Sequence, residues 1–280
     1  MNKIELLLHN YKSRVDQKIG EVIRAFGEKN RLRDACEYAL KNGGKRFRPA
    51  VVYMIAEALQ QNNCVDDAAL AIEFFHTASL IADDLPCMDN DSERRGNPAL
   101  HISFGEETAL LASYALIAAG YDRIRLNAER LRCVYAHEIS LLAWQSASQN
   151  TGIFGATGGQ FYDLMCDASP TEKKVRQVLY QKTGALFEIS FVLGWLFGGG
   201  EIKKLEGVKK AAYHFGLAFQ IADDIVDKEQ DKGKCYNYAL CVGEKQAQQA
   251  LKKELFETKK ELKNLQLSSL FQIVDLLDRG

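Results

Sequence analysis

Apolar side chains recur at three- to four-residue spacing along most of the chain, which is the period of an amphipathic α-helix. Residues 1–28 predict the first such helix. Its apolar face is formed by Leu6, Tyr11, Val15, Ile19, Val22 and Phe26. Only four prolines occur in 280 residues. This scarcity, together with the long periodic runs, predicts an all-α fold.

Turn-forming residues divide the pattern into further helices. The predicted spans are 31–42, 50–60, 68–84, 106–119, 127–151, a helix opened by Pro170, and then 185–200, 207–227 and 244–265. Residues 185–200 form the most apolar run, but Glu188 interrupts it and the run is too short to span a bilayer comfortably. We interpret it as a buried core helix and expect no integral membrane segment. No linker or low-complexity tract occurs, so we expect a single domain over residues 1–280.

Two carboxylate clusters stand at the ends of apolar runs, 140 residues apart. Their members are Asp83, Asp84 and Asp89 in the first cluster and Asp223, Asp224 and Asp227 in the second. Asp223 and Asp227 stand at i and i+4, so one helix face carries both. Asp83 and Asp89 are six positions apart, which a straight helix would not align. Pro86 lies between them and predicts a kink that returns Asp89 to the side of Asp83.

Grouped carboxylates repel one another, and two unit charges 4 Å apart cost about 4 kcal/mol near a protein surface. A hard divalent cation removes that cost. Mg2+ prefers a few carboxylates together with phosphate oxygens of a substrate. The two clusters therefore predict a Mg2+–diphosphate site. Either cluster alone is as compatible with a charged surface turn, and it is the repetition behind two apolar runs that favours the metal site.

Basic residues accompany the clusters. The segment Gly43–Pro49 has three cations within four residues at a predicted helix start, where backbone N–H groups attract anions. His76 lies two turns before Asp83 and could donate to a phosphate or serve as an ordinary core histidine. Arg94–Arg95 could bind diphosphates through bidentate contacts or form a solvated loop. Lys182–Thr183 offers a further cation and hydroxyl.

Composition narrows the function classes. The formal net charge of −1 gives no global attraction to nucleic acid or to an anionic membrane. The seven cysteines are odd in number and form no C-x-x-C pair, which is typical of thiols in a reducing compartment. The N-terminal residues lack the apolar core of a signal peptide. We therefore expect a cytoplasmic protein.

In combination these motifs resemble the short-chain trans-polyprenyl diphosphate synthases, and the resemblance covers nearly the whole chain. The motifs that carry it are Gly43–Pro49, Asp83–Asp89 followed by Arg94–Arg95, Gly158–Gln160 with Asp163, Lys182–Thr183, and Phe219–Asp224 with Asp227. The resemblance implies an isoprenoid-synthase-type helical bundle around a deep central apolar cavity, usually as a homodimer. It also implies Mg2+-dependent 1′-4 head-to-tail condensation of isopentenyl diphosphate with an allylic diphosphate.

The resemblance also implies roles for single residues. Isopentenyl diphosphate would be bound by Lys45, Arg48, His76 and Arg95. The allylic diphosphate would be bound by Arg94, Lys182, Thr183, Gln220 and Lys234. All six motif aspartates would be catalytic. Up to three Mg2+ ions would be held by Asp83, Asp89, Asp223 and Asp227. Asp84 and Asp224 would support these metal ligands. One departure is a shortened loop after Asp227, in which Lys234 matches one of two expected lysines and the other has no counterpart.

Product length depends on the helix before Asp83. Ala78 lies five residues earlier, roughly 7.5 Å along a helix, and Ser79 follows it. Two small residues leave the implied cavity open, which favours the twenty-carbon geranylgeranyl diphosphate, with the fifteen-carbon farnesyl diphosphate as the alternative. Phe74 and Phe75, one turn deeper, are candidates for the cavity floor. They could equally pack in the core.

Three other functions remain as alternatives. A terpene cyclase would share the helical fold, but it needs no second diphosphate site of the kind that Arg48, His76 and Arg95 would supply. A non-catalytic partner subunit of a heteromeric synthase would tend to lack the aspartate motifs, and both are present here. An acidic helical scaffold would show no protection by Mg2+ with diphosphate. The prenyltransferase interpretation accounts for the largest number of motifs.

Overall fold

The computed structural model describes residues 3–165, 169–231 and 235–278, and most of these residues are helical. Within those ranges the helices are α1 (Lys3–Val22), α2 (Arg31–Lys41), α3 (Phe47–Ala58), α4 (Asp66–Asp83), α5 (Leu100–Phe104), α6 (Glu106–Ala128), α7 (Ala136–Thr151), α8 (Ala156–Leu164), α9 (Glu172–Leu179), α10 (Ala185–Gly198), α11 (Leu205–Val226), α12 (Tyr238–Val242), α13 (Glu244–Asn264) and α14 (Phe271–Val274). The prediction of an all-α fold is confirmed.

Short elements connect these helices. A π-helical stretch, Tyr180–Gly184, joins α9 to α10. Two-residue strands, β1 (Glu93–Arg94) and β2 (Asn97–Pro98), form an antiparallel hairpin with Glu93 opposite Pro98. Single 3-10 turns occupy Ile23–Ala25, Ile202–Lys204 and Ser268–Leu270. The sequence pattern did not predict α5, α8 or α12, because helices this short carry too few turns to show a period.

The boundaries of three predicted helices were wrong. The helix predicted over residues 127–151 begins only at Ala136. The helix predicted over residues 1–28 ends at Val22, and Gly27 then adopts a φ of +82°. The break predicted after residue 119 does not occur, since α6 continues through Gly120 to Ala128. A Cβ on Gly120 would lie 2.6 Å from the ring of Phe75, so this glycine serves close helix packing and not helix termination.

The chain forms two compact units, which are described one at a time. The first comprises Met1–Tyr53 and Cys64–Ser140, and the second comprises Met54–Asn63 and Leu141–Gly280. In the first unit α4 packs along α6 and is buried on most of its faces. The expectation of one domain over residues 1–280 stays a prediction.

The second unit is built on α10 and α11. Every residue of α10 except Glu188 is buried, which confirms the predicted core helix, and α10 ends at Gly199 in the left-handed conformation with a φ of +96°. The ring of Phe215 on α11 lies 5.1 Å from the ring of Phe187 and 5.4 Å from that of Phe191. None of the helices in the described ranges combines the length and the apolar character needed to cross a bilayer.

The cysteines depart from expectation at one position. Among the described cysteines, Cys36, Cys64, Cys87, Cys133 and Cys241 are free thiols. Cys235, however, forms a disulfide bond. The expectation that every cysteine is a thiol was therefore wrong for Cys235.

The backbone contact between α11 and the π-helical stretch predicts a test of stability. A Cβ on Gly216 would lie 2.6 Å from the Cα of Gly184, where backbone cannot give way. We expect Gly216→Ala to lower the free energy of unfolding by about 1–3 kcal/mol in urea titrations. Gly20→Ala is the control on α1, where an added Cβ would meet no atom within 4 Å, and it should raise the free energy of unfolding by about 0.5–1 kcal/mol. Equal effects of the two substitutions would contradict the close contact.

Candidate active site

The first aspartate cluster follows the end of α4. The helix stops at Asp83, and the chain turns back after Pro86. The backbone N–H of Asp89 donates to the carbonyl oxygen of Asp83 at 2.9 Å, and that of Asn90 donates to Leu85 at 3.1 Å. The predicted return of Asp89 to Asp83 is present in the backbone. Asp83 is partly exposed and Asp89 is exposed, so both can offer carboxylate oxygens to a ligand.

Asp84 behaves differently from its neighbours, since it is only 3% exposed. Arg94 donates from Nε to Oδ1 of Asp84 at 2.9 Å and also binds that oxygen through Nη2. The same Nη2 donates to Asp91 at 3.0 Å. Burial raises the pKa of Asp84, and the bond from Arg94 opposes that rise. Arg94 is thus engaged by two carboxylates here, and its contact with an allylic diphosphate stays a prediction.

The three cations of the segment Gly43–Pro49, which leads into α3, have different surroundings. Arg46 is buried, with a φ of +51°, and it donates to Asp16 at 2.8 Å and forms an ion pair with Glu73 on α4. Lys45 is exposed and Arg48 is partly buried. Loss of either carboxylate partner would strongly destabilise the folded protein, because it would leave the charge of the buried arginine uncompensated. Arg46 therefore fixes the segment, and the predicted contacts of Lys45 and Arg48 with isopentenyl diphosphate stay predictions.

Arg95 reaches the same segment from the β1–β2 hairpin. Arg95 and Gly96 form the two-residue turn and have φ values of +57° and +79°, as type I′ hairpins require. The Arg95 Nη1 donates to the carbonyl oxygen of Gly43 at 2.8 Å. A Cβ on Gly44 would lie 2.5 Å from that Nη1, so only glycine lets the guanidinium approach the backbone this closely.

His76 lies in the strongly positive part of this unit. Its Nε2 is 3.5 Å from the Nη1 of Arg48. Burial lowers the pKa of His76 well below its usual range, and the charges of Arg48, Arg95, Arg46 and Arg94 lower it further. Burial also lowers the pKa of Arg95, and Arg46 and Arg94 add to that effect. Such convergent positive potential attracts an anion.

In the second unit, three elements bring polar side chains together. Lys182 of the π-helical stretch forms an ion pair with Asp163 of α8. Thr183 donates from Oγ1 to the Oε1 of Gln220 on α11 at 2.6 Å. A Cβ on Gly159 would lie 2.3 Å from the backbone nitrogen of Lys182, so the glycines of α8 permit a backbone contact. Single π-helical turns occur often at functional sites because they redirect the side chains that they carry.

Asp224 is the buried member of the second cluster, again 3% exposed. Its carboxylate accepts from Gln220 Nε2 at 2.8 Å and from the backbone N–H of Tyr238 at 2.7 Å. Burial raises the pKa of Asp224 to about 7, although both bonds act to lower it. Asp223 is exposed and Asp227 partly exposed, and the N–H of Asp227 donates to the Asp223 carbonyl at 2.8 Å. The predicted shared helix face is confirmed.

The two clusters therefore divide in the same way, with the second aspartate bound by protein groups and the first and last turned outward. The outward carboxylates are hard oxygen donors of the kind that Mg2+ prefers. Within the described ranges, no group of three or more His, Cys, Asp or Glu residues is arranged to hold a metal ion. Mg2+ usually takes one or two carboxylates and completes its coordination with phosphate oxygens and water, so the donor set fits it.

A pocket of about 100 Å³ in the second unit adds residues that sequence reasoning missed. Its polar lining consists of Asp163, Lys182, Thr183, Gln220, Asp224, Asp231, Tyr236 and Asn237. No sequence signal singled out Asn237, because the sequence pattern did not predict α12, which Asn237 caps. Its contacts with the aspartates had no sequence signal either. Lys234 lies outside the described residues, so its predicted role stays a prediction.

The proposed chain-length residues all belong to the first unit. The ring of Phe74 packs edge-on against Phe26 at 5.7 Å, and that of Phe75 packs against Tyr121 at 5.0 Å. Ala78 is buried. Ser79 donates to the carbonyl oxygen of His76 at 2.9 Å. Both phenylalanines thus have packing partners within the unit, and the roles of all four residues in product length stay predictions.

Comparison with known proteins identifies the class. A model of the polyprenyl synthetase family matches residues 29–237. The heterodimeric geranylgeranyl pyrophosphate synthase large subunit 2 of Arabidopsis thaliana is 34% identical over 222 residues, which cover 76% of this chain and 56% of that protein. The farnesyl diphosphate synthase of Geobacillus stearothermophilus is 34% identical over 229 residues, 81% of this chain and 76% of that protein. The structure of a geranyltransferase from Legionella pneumophila matches with a TM-score of 0.87 at 26% identity, over 98% of this chain and 96% of that one.

These matches establish both fold and family. The likeness to the Legionella structure confirms the predicted isoprenoid-synthase-type helical fold. The family model covers well over half of the chain, and the chain therefore belongs to the polyprenyl synthetase family. It spans 56% of the length of the Arabidopsis relative.

The lowered pKa of His76 predicts a pH dependence of stability. An unfolded chain binds a proton at this histidine near its ordinary pKa of 6.5, whereas the folded chain keeps the ring neutral. The free energy of unfolding should therefore fall as the pH is lowered from about 7 to 5, because the unfolded state then binds more protons. In urea titrations His76→Gln should lose less stability over this window than the wild type. His137→Gln, at an exposed position, is the control and should follow the wild type. Parallel curves for all three proteins would contradict a His76 ring that the fold keeps neutral.

Proposed function

We propose that the chain is a Mg2+-dependent prenyltransferase that condenses isopentenyl diphosphate with allylic diphosphates in 1′-4 head-to-tail fashion. The observation that carries the proposal is the matched division of the two aspartate clusters, Asp83–Asp89 and Asp223–Asp227, together with the cationic region around His76. Carboxylates at two helix ends need a cation, and the cationic region needs an anion. A pair of diphosphate substrates, one of them bound with Mg2+, satisfies both requirements.

The residues then take separate roles. Isopentenyl diphosphate lies against Arg48, His76 and Arg95, with the exposed Lys45 beside them. The metal ligands, for up to three ions, are Asp83, Asp89, Asp223 and Asp227. When bound, Mg2+ neutralises charge on the departing allylic diphosphate.

The chain's own groups act on the allylic substrate. Lys182 supplies a cation for its diphosphate. The Thr183 hydroxyl supplies a donor by exchanging its hydrogen bond to Gln220 for one to a phosphate oxygen. Cleavage of the allylic C–O bond leaves a carbocation, which the double bond of isopentenyl diphosphate attacks. The proton lost from the adduct passes to the released diphosphate. Apolar surroundings keep water from the cation.

We further propose a twenty-carbon product. The support is the small side chain of Ala78 and the name of the Arabidopsis relative, a geranylgeranyl pyrophosphate synthase subunit. The Geobacillus relative is a farnesyl diphosphate synthase, so a fifteen-carbon product is the alternative. To distinguish the two product lengths, the purified protein is incubated with Mg2+, isopentenyl diphosphate and, separately, each of the five-, ten- and fifteen-carbon allylic diphosphates. The length of the product is then measured by chromatography. Absence of condensation with every starter would favour the partner-subunit alternative.

A homodimer is the assembly that we propose, formed through α6. Four apolar residues at helical spacing are exposed on this helix. They are Leu110, Leu111, Tyr114 and Ile117, with Tyr114 59% and Leu111 53% exposed. Contiguous exposed apolar surface of this kind marks an interaction site. The Arabidopsis relative is named as a subunit of a heterodimer, which makes a different partner the alternative occupant.

Removal of an outward aspartate tests the metal assignment. Asp83→Ala and Asp223→Ala should each lower kcat by about 10²-fold or more, since each removes charge stabilisation of the departing diphosphate. The melting temperature should change little, because Asp83 is partly exposed and Asp223 exposed. Asp122→Ala, at a surface ion pair with Arg125 on α6, is the control and should retain full activity. Near-normal turnover of either motif variant would remove the basis of the assignment.

A larger side chain at position 78 tests the product assignment. Ala78→Tyr should shorten the main product, because the aromatic ring would fill space that the growing chain needs. Product length is read by chromatography with the ten-carbon starter, and circular dichroism checks that the variant is folded. An unchanged product from folded Ala78→Tyr would show that Ala78 does not line the cavity.

Charges on the exposed face of α6 test the assembly. The double variant Leu111→Glu/Tyr114→Glu should convert a dimer to a monomer in light-scattering measurements, because dimerisation would bury the new carboxylates. Phe256→Glu places the same charge at an exposed apolar residue of α13 and should leave the mass unchanged. A wild type that is monomeric, or a double variant that still dimerises, would rule out α6 as the interface.

A further inference from the structure

Asn237, the residue before α12, makes hydrogen bonds to the end of α11 and to Asp231. Helix α11 ends at Val226 and α12 begins at Tyr238. Asn237 is only 3% exposed. It therefore lies inside the second unit, beside a cluster in which Asp224 is buried, Asp223 exposed and Asp227 partly exposed.

The side-chain amide of Asn237 makes three hydrogen bonds. Its Nδ2 donates to the backbone carbonyl oxygen of Asp224 at 3.0 Å and to the Oδ2 of Asp231 at 3.0 Å. Its Oδ1 accepts from the backbone N–H of Leu240 at 3.0 Å and so caps α12. One buried side chain thus joins the end of α11, the segment after it and the start of α12.

These bonds continue into the residues proposed to bind the allylic diphosphate. The N–H of Tyr238, next to Asn237, holds one carboxylate oxygen of Asp224, and Gln220 holds the other. Gln220 in turn accepts from Thr183. Asn237 therefore stands at one end of a continuous hydrogen-bonded path that leads through Asp224 to Thr183.

The other side of the path is fixed by partly buried polar contacts that converge on Glu254. The hydroxyl of Tyr238 donates to Glu172 at 2.7 Å and lies 3.4 Å from the Nη1 of Arg176. Arg176 forms an ion pair with Glu254, which is 2% exposed and also binds His214 at 2.6 Å. The backbone at Asn237 and Tyr238 is thus anchored from α9 and α13, and it can hold Asp224 in one position.

We propose that Asn237 is a positioning residue for the allylic-diphosphate half of the site, acting through Asp224 and Asp231 and touching no substrate itself. The proposal rests on the proposed prenyltransferase function for its activity measurements. It goes beyond a capping role, since two of the three bonds of the amide reach the aspartate cluster and its following segment. Groups that orient the ligands of a metal commonly change affinity or activity by about 10–100-fold when they are removed.

Asn237→Asp separates the two roles. An aspartate keeps an oxygen that can cap α12 but replaces the amide donor with an oxygen that faces Asp231 and the Asp224 carbonyl. Asn237→Ser is the second variant, because it retains a capping oxygen without adding charge. Asn30→Asp is the matched control, since Asn30 caps α2 by accepting from the N–H of Arg33 at 2.9 Å and is exposed.

Two measurements are made on wild type and all three variants. In steady-state kinetics, both Asn237 variants should raise KM for the allylic diphosphate or lower kcat by about tenfold or more, with KM for isopentenyl diphosphate unchanged. In thermal melts, both should reduce the stabilisation given by Mg2+ with inorganic diphosphate. Asn30→Asp should match the wild type in both measurements.

The outcomes separate this inference from the proposed function. One outcome is that the wild type condenses no substrate but is stabilised by Mg2+ with diphosphate, and that the Asn237 variants show less of this stabilisation. This outcome would refute the proposed function and support the positioning role. Active Asn237 variants with wild-type kinetics and stabilisation would overturn the positioning role. So would equal losses for both substrates, or failure of both variants to fold, because either result would show a structural cap alone.

Discussion

The burial of one aspartate in each motif is the constraint on which the rest of the site depends. Asp84 and Asp224 are both 3% exposed, and removal of a carboxylate from water is costly unless other groups bind it. Arg94 binds Asp84, while Gln220 and the backbone of Tyr238 bind Asp224. Each set of partners comes from a different part of the chain. The helix ends are therefore held in fixed positions, and the neighbouring aspartates are exposed or partly exposed.

The cations of the first unit show a similar division of labour. Arg46 is buried against Asp16 and Glu73 and holds the segment before α3 in place. Arg95 lies against Gly44, where any side chain would prevent its approach. Burial lowers the pKa of His76, and the charges of Arg48, Arg95 and Arg46 lower it further, so this region carries a positive potential that attracts an anion. The aspartate motifs have the opposite charge and accept a diphosphate only together with a cation. We therefore propose two chemically different diphosphate sites, one cationic and one built on carboxylates.

Much of this could be predicted from the sequence, because the decisive signals are local. The i, i+4 spacing predicts that Asp223 and Asp227 share a helix face, and this involves a single helical turn. The proline between Asp83 and Asp89 predicts a kink, which is equally local. What could not be predicted depends on contacts between distant residues. Nothing near Asn237 in the sequence indicates its bond to Asp231 or to the Asp224 carbonyl. Spacing alone also could not show that Gly120 serves a contact with Phe75.

The central claim is that the protein has one metal-independent and one metal-dependent diphosphate site, and a calorimetric titration tests it most directly. Inorganic diphosphate is titrated into the wild-type protein, first with a chelator and then with excess Mg2+. The account predicts one equivalent bound per chain without metal, at the region of His76, and a second that appears only with Mg2+. Loss of the first equivalent in His76→Gln and of the second in Asp223→Ala would assign each site. Identical isotherms with and without Mg2+ would contradict the account.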